Sequence, residues 1–392
     1  MEEVFIVSAK RTPIGSFLGK LSAISATELG SVAIRNACKL LDINPFDIDS
    51  VYMGNVLSAN LGQSPARQAS KYAEIPDHID CTSINKVCAA GMKAVIIGAQ
   101  QIQLGLENLV IAGGMESMSN APHYALLRKQ VKLGNQEFID GILKDGLTDV
   151  YNGFHMGNAA EICVKEFNLS RKEQDAFAID SYDKANQATR TGKFKNEIIQ
   201  FTIGSKGNET IMDSDEDISK IIPEKVQILK PSFQTDGTIT PANASNLNDG
   251  AAALLLASKE AVHKYNLKPI AKILAYADAA LAPEWFTIAP ANAIKKALNM
   301  AALSLSDIDF FEINEAYAAV VLANQKILGF DLNKVNVYGG AVALGHPLGA
   351  SGARIICTLT SVLSQEGGKY GVASICNGGG GASAIIIENL IN

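Results

Sequence analysis

Cys88, His346 and Cys376 are the residues of this 392-residue chain whose types and settings point to chemistry. Cys88 lies in SINKVCAAGMKAV, where an apolar strand passes into a helix. A thiol there meets the positive end of the helix dipole and nearby amides, which favour the thiolate. The competing reading is a small buried hydrophobe, the fate of most free cysteines. His346 stands in GGAVALGHPLGASG and Cys376 in ASICNGGGG, each read as a glycine-rich turn after an apolar strand, where open α/β sheets hold ligands. Loops so poor in side chain let a reacting group and backbone N–H donors come close. A Cys–His pair permits nucleophilic catalysis, and a second cysteine, with an unperturbed pKa of about 8.5, can serve as acid or base. Spacing along the chain does not establish that the three meet. His346 as a turn histidine held by backbone, and Cys376 as a core thiol, stay open.

Other candidates are weaker. Asn314 and Glu315 end the strand in FFEINEAYAAVVLA and are either helix caps or polar groups facing a site; an Asn amide can hold a water without adding charge. His155-Met156, just past a glycine-containing turn, have the types to line a slot for a small acyl group. His78 and His123 read as surface residues. The run Gly378–Gly381 starts like a dinucleotide fingerprint, but the helix, strand and acid that must follow have no room before the last residue. No GxxxxGK[ST] loop and no GxSxG elbow is present.

The elements that must carry these residues repeat. Ala33, Ile34 and Ala37 lead to Asp47-Ile48-Asp49, and Ala293, Ile294 and Ala297 lead to Asp307-Ile308-Asp309, each 260 positions on. Both copies read as an amphipathic helix, a turn, the Asp-Ile-Asp element and a strand, which predicts a duplicated unit. A Gly/Ala-rich helix near Cys88 and another near Ser351 are each followed by an apolar strand ending in glycines, LVIAGG (109–114) and YGVASICNGGGG (370–381). That order is a βαβ unit, and uniformly apolar strands imply sheets covered on both faces. Two such halves face to face would share a buried layer of helices. Between them, 117–249 fits neither copy; it holds a helix over 171–190 started by Ser170 and Glu173 as a capping box, and an aperiodic polar stretch at 204–225. We expect domains of 1–116 completed by 250–267, an inserted covering unit at 117–249, and 268–392.

Composition narrows the classes. The length exceeds one ordinary core. Thirty-four basic against 40 acidic residues, a net charge of −6, disfavour a nucleic-acid or anionic-membrane binder. The apolar run at 250–257 is far shorter than a membrane span. Six scattered cysteines without CxxC, and five scattered histidines, argue for free thiols in a reducing compartment and against a metal site. Residues 1–10 read as a strand with no signal or transit segment before it, so the expectation is a cytoplasmic protein.

Eight segments together resemble the thiolase family, and its biosynthetic type most closely: SAKRTPIGSFLG (8–19), NKVCAAGMKA (85–94), GGMESMSNAP (113–122), HMGNAAE (155–161), NASNLNDGAA (243–252), NEAYA (314–318), GGAVALGHPLGASGAR (339–354) and CNGGGG (376–381). They stand in the expected order across essentially the whole chain. The resemblance implies an α/β fold of five layers, α-β-α-β-α, made of two duplicated halves with an inserted loop domain that binds coenzyme A. It also implies a dimer of dimers, a homotetramer. By resemblance Cys88 is the acyl-accepting nucleophile, His346 activates it and donates to an oxyanion, and Cys376 is the acid/base. Asn314 would hold an oxyanion water, and the Gly378 N–H, with that of Cys88, would form a second oxyanion hole. His155, Met156 and Ser245 would contact the acyl and pantetheine portions, and Lys220 is nominated for a coenzyme phosphate.

The implied reaction is reversible condensation of two acetyl-CoA to acetoacetyl-CoA plus CoA through an acetyl-cysteine. CoA would be part of substrate and product, with no metal and no permanently bound cofactor. The chain departs from the family in reading CNGGGGA after the second cysteine. It also places Trp285, Phe286 and Ile288 where bulk could narrow the acyl slot. The alternative is a degradative 3-ketoacyl-CoA thiolase of broader range; a non-catalytic CoA- or lipid-binding module predicts the loss of Cys88, His346 or Cys376.

Overall fold

The computed structural model describes residues 2–39, 43–128, 133–204 and 209–391; residues 205–208 of the stretch read as aperiodic lie outside these. The backbone of the fold is nine strands on one path: β1 (Val4–Arg11), β2 (Ser50–Gly54), β3 (Asp80–Ile84), β4 (Leu109–Ser117), β5 (Asn248–Ser258), β6 (Ala271–Ala280), β7 (Phe310–Ile313), β8 (Tyr370–Asn377) and β9 (Gly381–Asn389). Their order, β3-β2-β4-β5-β1-β6-β9-β8-β7, is two copies of one pattern joined edge to edge. In each copy a short strand runs parallel to a long apolar one (Val51↔Ile111; Phe311↔Val372), which pairs antiparallel with a hairpin or closing strand, which pairs with the first strand. A register shift falls between Ile6 and Ser8 in β1 and between Ile273 and Ala275 in β6. The fifth strand of the first copy, β3, shrinks in the second to a single parallel bridge, Phe311↔Val335.

The joint is self-complementary. Val4 pairs Ile273, Phe5 pairs Lys272 and Ile6 pairs Ala271, so equivalent residues exchange places about a local two-fold at Phe5/Lys272. The Asp-Ile-Asp elements do the same work twice. The Asp49 carboxylate accepts the N–H groups of Asn108 and Leu109 at 2.6 and 2.9 Å, and that of Asp309 accepts those of Lys369 and Tyr370 at 2.7 and 3.0 Å. Each aspartate thereby pins the start of the strand beside it.

Five layers follow from which faces are apolar. Helix α1 (Ala26–Lys39) buries Leu29, Ala33, Ile34 and Ala37 on the outside of the first sheet half. Two inner helices, α2 (Ala90–Gln103) and α3 (Leu348–Glu366), lie between the halves, where Met92, Ile96, Ile355 and Leu359 join residues of both in one core. The helix Ala289–Ala301 buries Ala293, Ile294 and Ala297 on the outside of the second half. The inner layer is tight: a Cβ on Gly114 would stand 2.0 Å from the Gly349 carbonyl oxygen.

The segment between the halves carries the helices Met156–Glu166 and Arg171–Arg190, the second opened by the Ser170/Glu173 capping box. A buried cation fastens it to the first strand. Arg11, wholly inaccessible, donates to Glu197 at 2.6 Å and to both Asp215 oxygens at 2.7 and 3.0 Å. Leaving any of these charges unpaired in the interior would cost several kcal/mol, on the order of 3–5.

Candidate active site

A cavity of about 340 Å³ opens between the halves beneath the inserted segment, with Cys88, His346, Gly378, His155, Met156 and Ser245 on its wall. Phe233, Phe286, Tyr317 and Leu348 supply apolar wall beside them.

Cys88 follows β3 and precedes α2, whose first residue is Ala90. The turn before it is strained: Val87, a β-branched residue, sits at φ +48°, a left-handed conformation that costs about 1–3 kcal/mol. Local bonds hold it, Val87 N–H to Asn85 Oδ1 at 3.0 Å and Ala90 N–H to the Val87 carbonyl at 2.9 Å. Lys86 adds a brace to the second half, its Nζ reaching Asp278 Oδ1 at 2.5 Å and Ser383 Oγ at 2.9 Å. The backbone amides of Gly378 and of Cys88 itself are near enough to favour the Cys88 thiolate. Burial nevertheless pushes this thiol up to about 12, against those two amides. The helix-dipole expectation of a standing thiolate is therefore corrected. Burial thus favours the thiol form of Cys88, because the covering segment removes the water that a bare thiolate needs.

His346 does not follow a strand, as the sequence suggested, but the single helical turn Ala341–Leu344. Gly345 before it has φ +105°, and a Cβ there would stand 2.4 Å from the Asn248 amide carbon, so only glycine fits. Asn248 Oδ1 accepts the His346 backbone N–H at 2.9 Å. His346 Nδ1 meets Ser351 Oγ at 2.6 Å, while the Ser351 hydroxyl donates to the Pro347 carbonyl at 2.9 Å. A hydroxyl has one proton. With that proton on Pro347, Oγ accepts from Nδ1–H, and Nε2 keeps its lone pair. Nε2 is buried and has no protein partner among the described residues. Burial, helped by the charge of Arg354, pushes the imidazolium form down to about 3. The ring is a neutral base.

Cys376 is not in a turn but is the penultimate residue of β8, paired with Ala382. It lies behind the cavity wall, 1% exposed, in an apolar cluster with Met156, Cys163, Phe286 and Tyr317. Burial, then the nearness of Cys88, pushes its thiol well above the ordinary value. The turn after it needs its glycines: Gly379 and Gly380 have φ +84° and +86°. Asn314 also sits behind the wall, fully buried, with Nδ2 unpartnered among the described residues and Oδ1 accepting from Arg354 Nη2 at 3.4 Å. Neither Asn314 nor Glu315 caps the helix that follows, Ala318–Leu328, whose N-cap is Tyr317. Glu315 is a brace, accepting from Ser181 Oγ and Asn336 Nδ2 at 2.8 Å and from the Val342 N–H at 3.1 Å.

On the opposite wall, His155 Nδ1 accepts the Gly157 N–H at 3.0 Å, which leaves the proton on Nε2, and the ring stacks on Phe233 with centroids 4.7 Å apart. Ser245 gives both its N–H and its hydroxyl to the Ala316 carbonyl at 3.0 Å. Of the three bulky residues nominated for the acyl slot, Phe286 lines the cavity and Trp285 and Ile288 do not. Lys220 lines a neighbouring cavity of about 560 Å³ that shares Pro241, Asn246 and Leu247 with the first, and it is paired with Asp217 at 2.9 Å. Sequence reasoning missed Phe233, Tyr317, Ser351 and Asn248. Tyr317, Asn248 and Ser351 lie inside the segments NEAYA, NASNLNDGAA and GGAVALGHPLGASGAR that carry the resemblance, without standing out from them, and Phe233 left no trace. Among the described residues no group of three His, Cys, Asp or Glu is placed to hold a metal, and no helix is long and apolar enough to cross a membrane.

Known proteins resemble this chain over nearly its whole length. The thiolase N-terminal domain matches residues 4–260 and the thiolase C-terminal domain residues 267–389. The cytosolic acetyl-CoA acetyltransferase ERG10 of Gibberella zeae is 53% identical over 390 residues, spanning 99% of this chain and 98% of the relative. An acetyl-CoA acetyltransferase of Schizosaccharomyces pombe is 51% identical over 391 residues, 99% of each chain. Among solved structures, the Acat5 thiolase of Ascaris suum in complex with coenzyme A superimposes with a TM-score of 0.95 at 48% identity, covering 99% of this chain and all of that one. The acetyl-CoA acetyltransferase of Bacillus anthracis gives 0.97 at 38%, covering 100% and 99%.

Proposed function

The chain belongs to the thiolase family, and from that premise we propose how its residues divide the work of an acetyl-CoA C-acetyltransferase. The enzyme condenses two acetyl-CoA to acetoacetyl-CoA and CoA, reversibly and through an acetyl-cysteine, as its acetyl-CoA acetyltransferase relatives are named for. Coenzyme A is substrate and product rather than a resident cofactor. The cytosol is its compartment, as for the Gibberella zeae relative.

The observation that carries the assignment of roles is one cavity wall shared by Cys88, His346 and Gly378. His346 Nε2 takes the Cys88 proton as the sulfur attacks the thioester carbonyl of the first acetyl-CoA. The departing CoA sulfur takes the Cys376 proton, leaving free CoA, acetyl-Cys88, a Cys376 thiolate and an imidazolium. These last two are opposite charges in a dry site, which offsets the cost that burial sets on each alone. Cys376 then removes a methyl proton from the second acetyl-CoA. The enolate oxygen is met by the new His346 Nε2–H and by a water on Asn314 Nδ2. The carbanion attacks acetyl-Cys88, the Gly378 and Cys88 amides receive the tetrahedral oxygen, and His346 returns its proton to the leaving Cys88 sulfur. Two separate donor sets serve two different carbonyls.

The insertion, 117–249, would cover the pantetheine through His155, Met156 and Ser245. The neighbouring cavity, with Ser16, Lys220 and Lys225, has basic groups in place for the coenzyme's phosphates. The halves would then be 1–116 with 250–267, and 268–392. A homotetramer is supported by exposed Leu126, Leu127, Leu133, Phe138 and Tyr151 on the insertion, and by the open edge of β3. The test is intact-protein mass after acetyl-CoA, which should gain one acetyl group on Cys88, paired with loss of acetoacetyl-CoA on adding CoA. Phe286, Phe233 and Tyr317 around the slot argue against the broader-range reading. Longer 3-ketoacyl-CoA substrates cleaved as fast as acetoacetyl-CoA would reverse that.

A further inference from the structure

Behind Asn314 lies an ion pair that the reaction as described does not use. Arg354 on α3 and Glu312 on β7 are 2% and 1% exposed, and their nearest approach, Nη1 to Oε2, is 3.6 Å, beyond direct hydrogen-bond reach. Neither Glu312 oxygen has a partner among the described residues, nor do Arg354 Nε and Nη1. The guanidinium is therefore only partly neutralised by its carboxylate, and its charge reaches outward. It reaches two groups of the site. Nη2 donates to Asn314 Oδ1 at 3.4 Å, and the same charge is among the causes that keep His346 neutral.

An asparagine side chain has one accepting and one donating end, and its amide can turn end for end. Guanidinium only donates. Turned round, the amide would set N–H against N–H beside a cation in the interior, so the arginine dictates that Oδ1 faces it. Nδ2 is thereby left as the free donor, the end that a developing oxyanion or its water requires.

We propose that Arg354 is a positioning residue for the enolate side of the site: by occupying Asn314 Oδ1 it holds the amide with Nδ2 free for the oxyanion water. This rests on the role given to Asn314 above. Cys88 acetylation uses the other donor pair and does not need the Asn314 amide, so Arg354 bears on it only through its charge near His346. Enolisation and condensation need that amide.

The test pairs Arg354→Met with Glu312→Gln, so that the cation and its nearest carboxylate are removed together, and a thermal midpoint checks the fold. The expected result is a condensation kcat about 10- to 100-fold below wild type, a KM for acetyl-CoA within about twofold, and single-turnover acetylation of Cys88 within about threefold. That is the pattern of an interaction made only in one transition state. Arg354→Lys, which keeps a cationic donor, should recover part of the loss. Condensation at wild-type rate in the folded double variant overturns the proposal, as does an equal fall in acetylation and condensation, which marks a structural role. Asn314→Ala, measured alongside, separates the two ideas. If that variant condenses normally, the reading of Asn314 fails; if it is slow while the double variant is fast, only the role of Arg354 fails.

Discussion

Replacing Ser351 with alanine removes one oxygen from the first turns of α3 and tests how the general base is set. In the native site that oxygen accepts Nδ1–H of His346 at 2.6 Å while its own hydroxyl donates to the Pro347 carbonyl at 2.9 Å. Without it, the Nδ1-protonated ring carries a buried donor with no acceptor, which costs about 1–3 kcal/mol. The tautomer with its proton on Nε2 loses its handicap to the same extent. At 1.4 kcal/mol per factor of ten, the competent ring falls by a factor of about 5 to 150. Rapid mixing with acetyl-CoA, quenching, and intact mass should show Cys88 acetylated more slowly by that factor, yet still to one group per chain. The thermal midpoint checks the fold, and histidine ¹⁵N shifts report the tautomer directly. Acetylation within twofold of wild type in a folded Ser351→Ala protein would refute the reasoning. So would a native ring found protonated at Nε2.

Cys376→Ser should still acquire one acetyl group on Cys88, because the nucleophile and its donors remain, while condensation falls at least about 100-fold for want of a positioned acid/base; Cys88→Ser should show no stable label on intact-mass measurement. Phe286→Ala, which removes a buried ring from the cavity wall, should raise kcat/KM for a six-carbon 3-ketoacyl-CoA relative to acetoacetyl-CoA by about tenfold or more, at a stability cost of about 3–5 kcal/mol; an unchanged ratio would locate chain-length control elsewhere. His346 titrates near 3 when folded and near its ordinary value when unfolded, so between those pH values the unfolded chain binds the extra proton and native stability falls as pH drops. The contribution is up to about 1.4 kcal/mol per pH unit. Urea melts of His346→Gln and wild type at pH 7 and pH 5 should show their difference shifting toward the variant at pH 5, and a constant difference rules this out.

The parts of the fold that the sequence discloses are those decided by neighbours along the chain. The 260-residue echo is legible because each Asp-Ile-Asp aspartate serves the strand next to its own, and the Ser170/Glu173 box is a contact within one turn. Cys88, His346 and Cys376 stand out by type and setting. Their protonation does not. The thiolate expected at a helix start is reversed by burial under residues such as His155, Phe233 and Ser245, far away in sequence. Likewise, nothing near Val87 announces φ +48°, since the brace that holds its loop runs from Lys86 to Asp278. Ser351 and Arg354 have meaning only once α3 places them under His346 and Asn314.

The pairing of β1 with β5 also sets a schedule for synthesis. Val4 must wait for Ser258, its partner 254 residues later. At ribosomal rates of roughly 5–20 residues per second, that is roughly 13 to 51 s during which a mostly apolar first strand has emerged without its neighbour. Arg11, whose two carboxylates lie at 197 and 215, is likewise an uncompensated charge for most of that interval. A chain arrested between residues 200 and 250 should therefore present β1 to chaperones, and release past 258 should end that exposure.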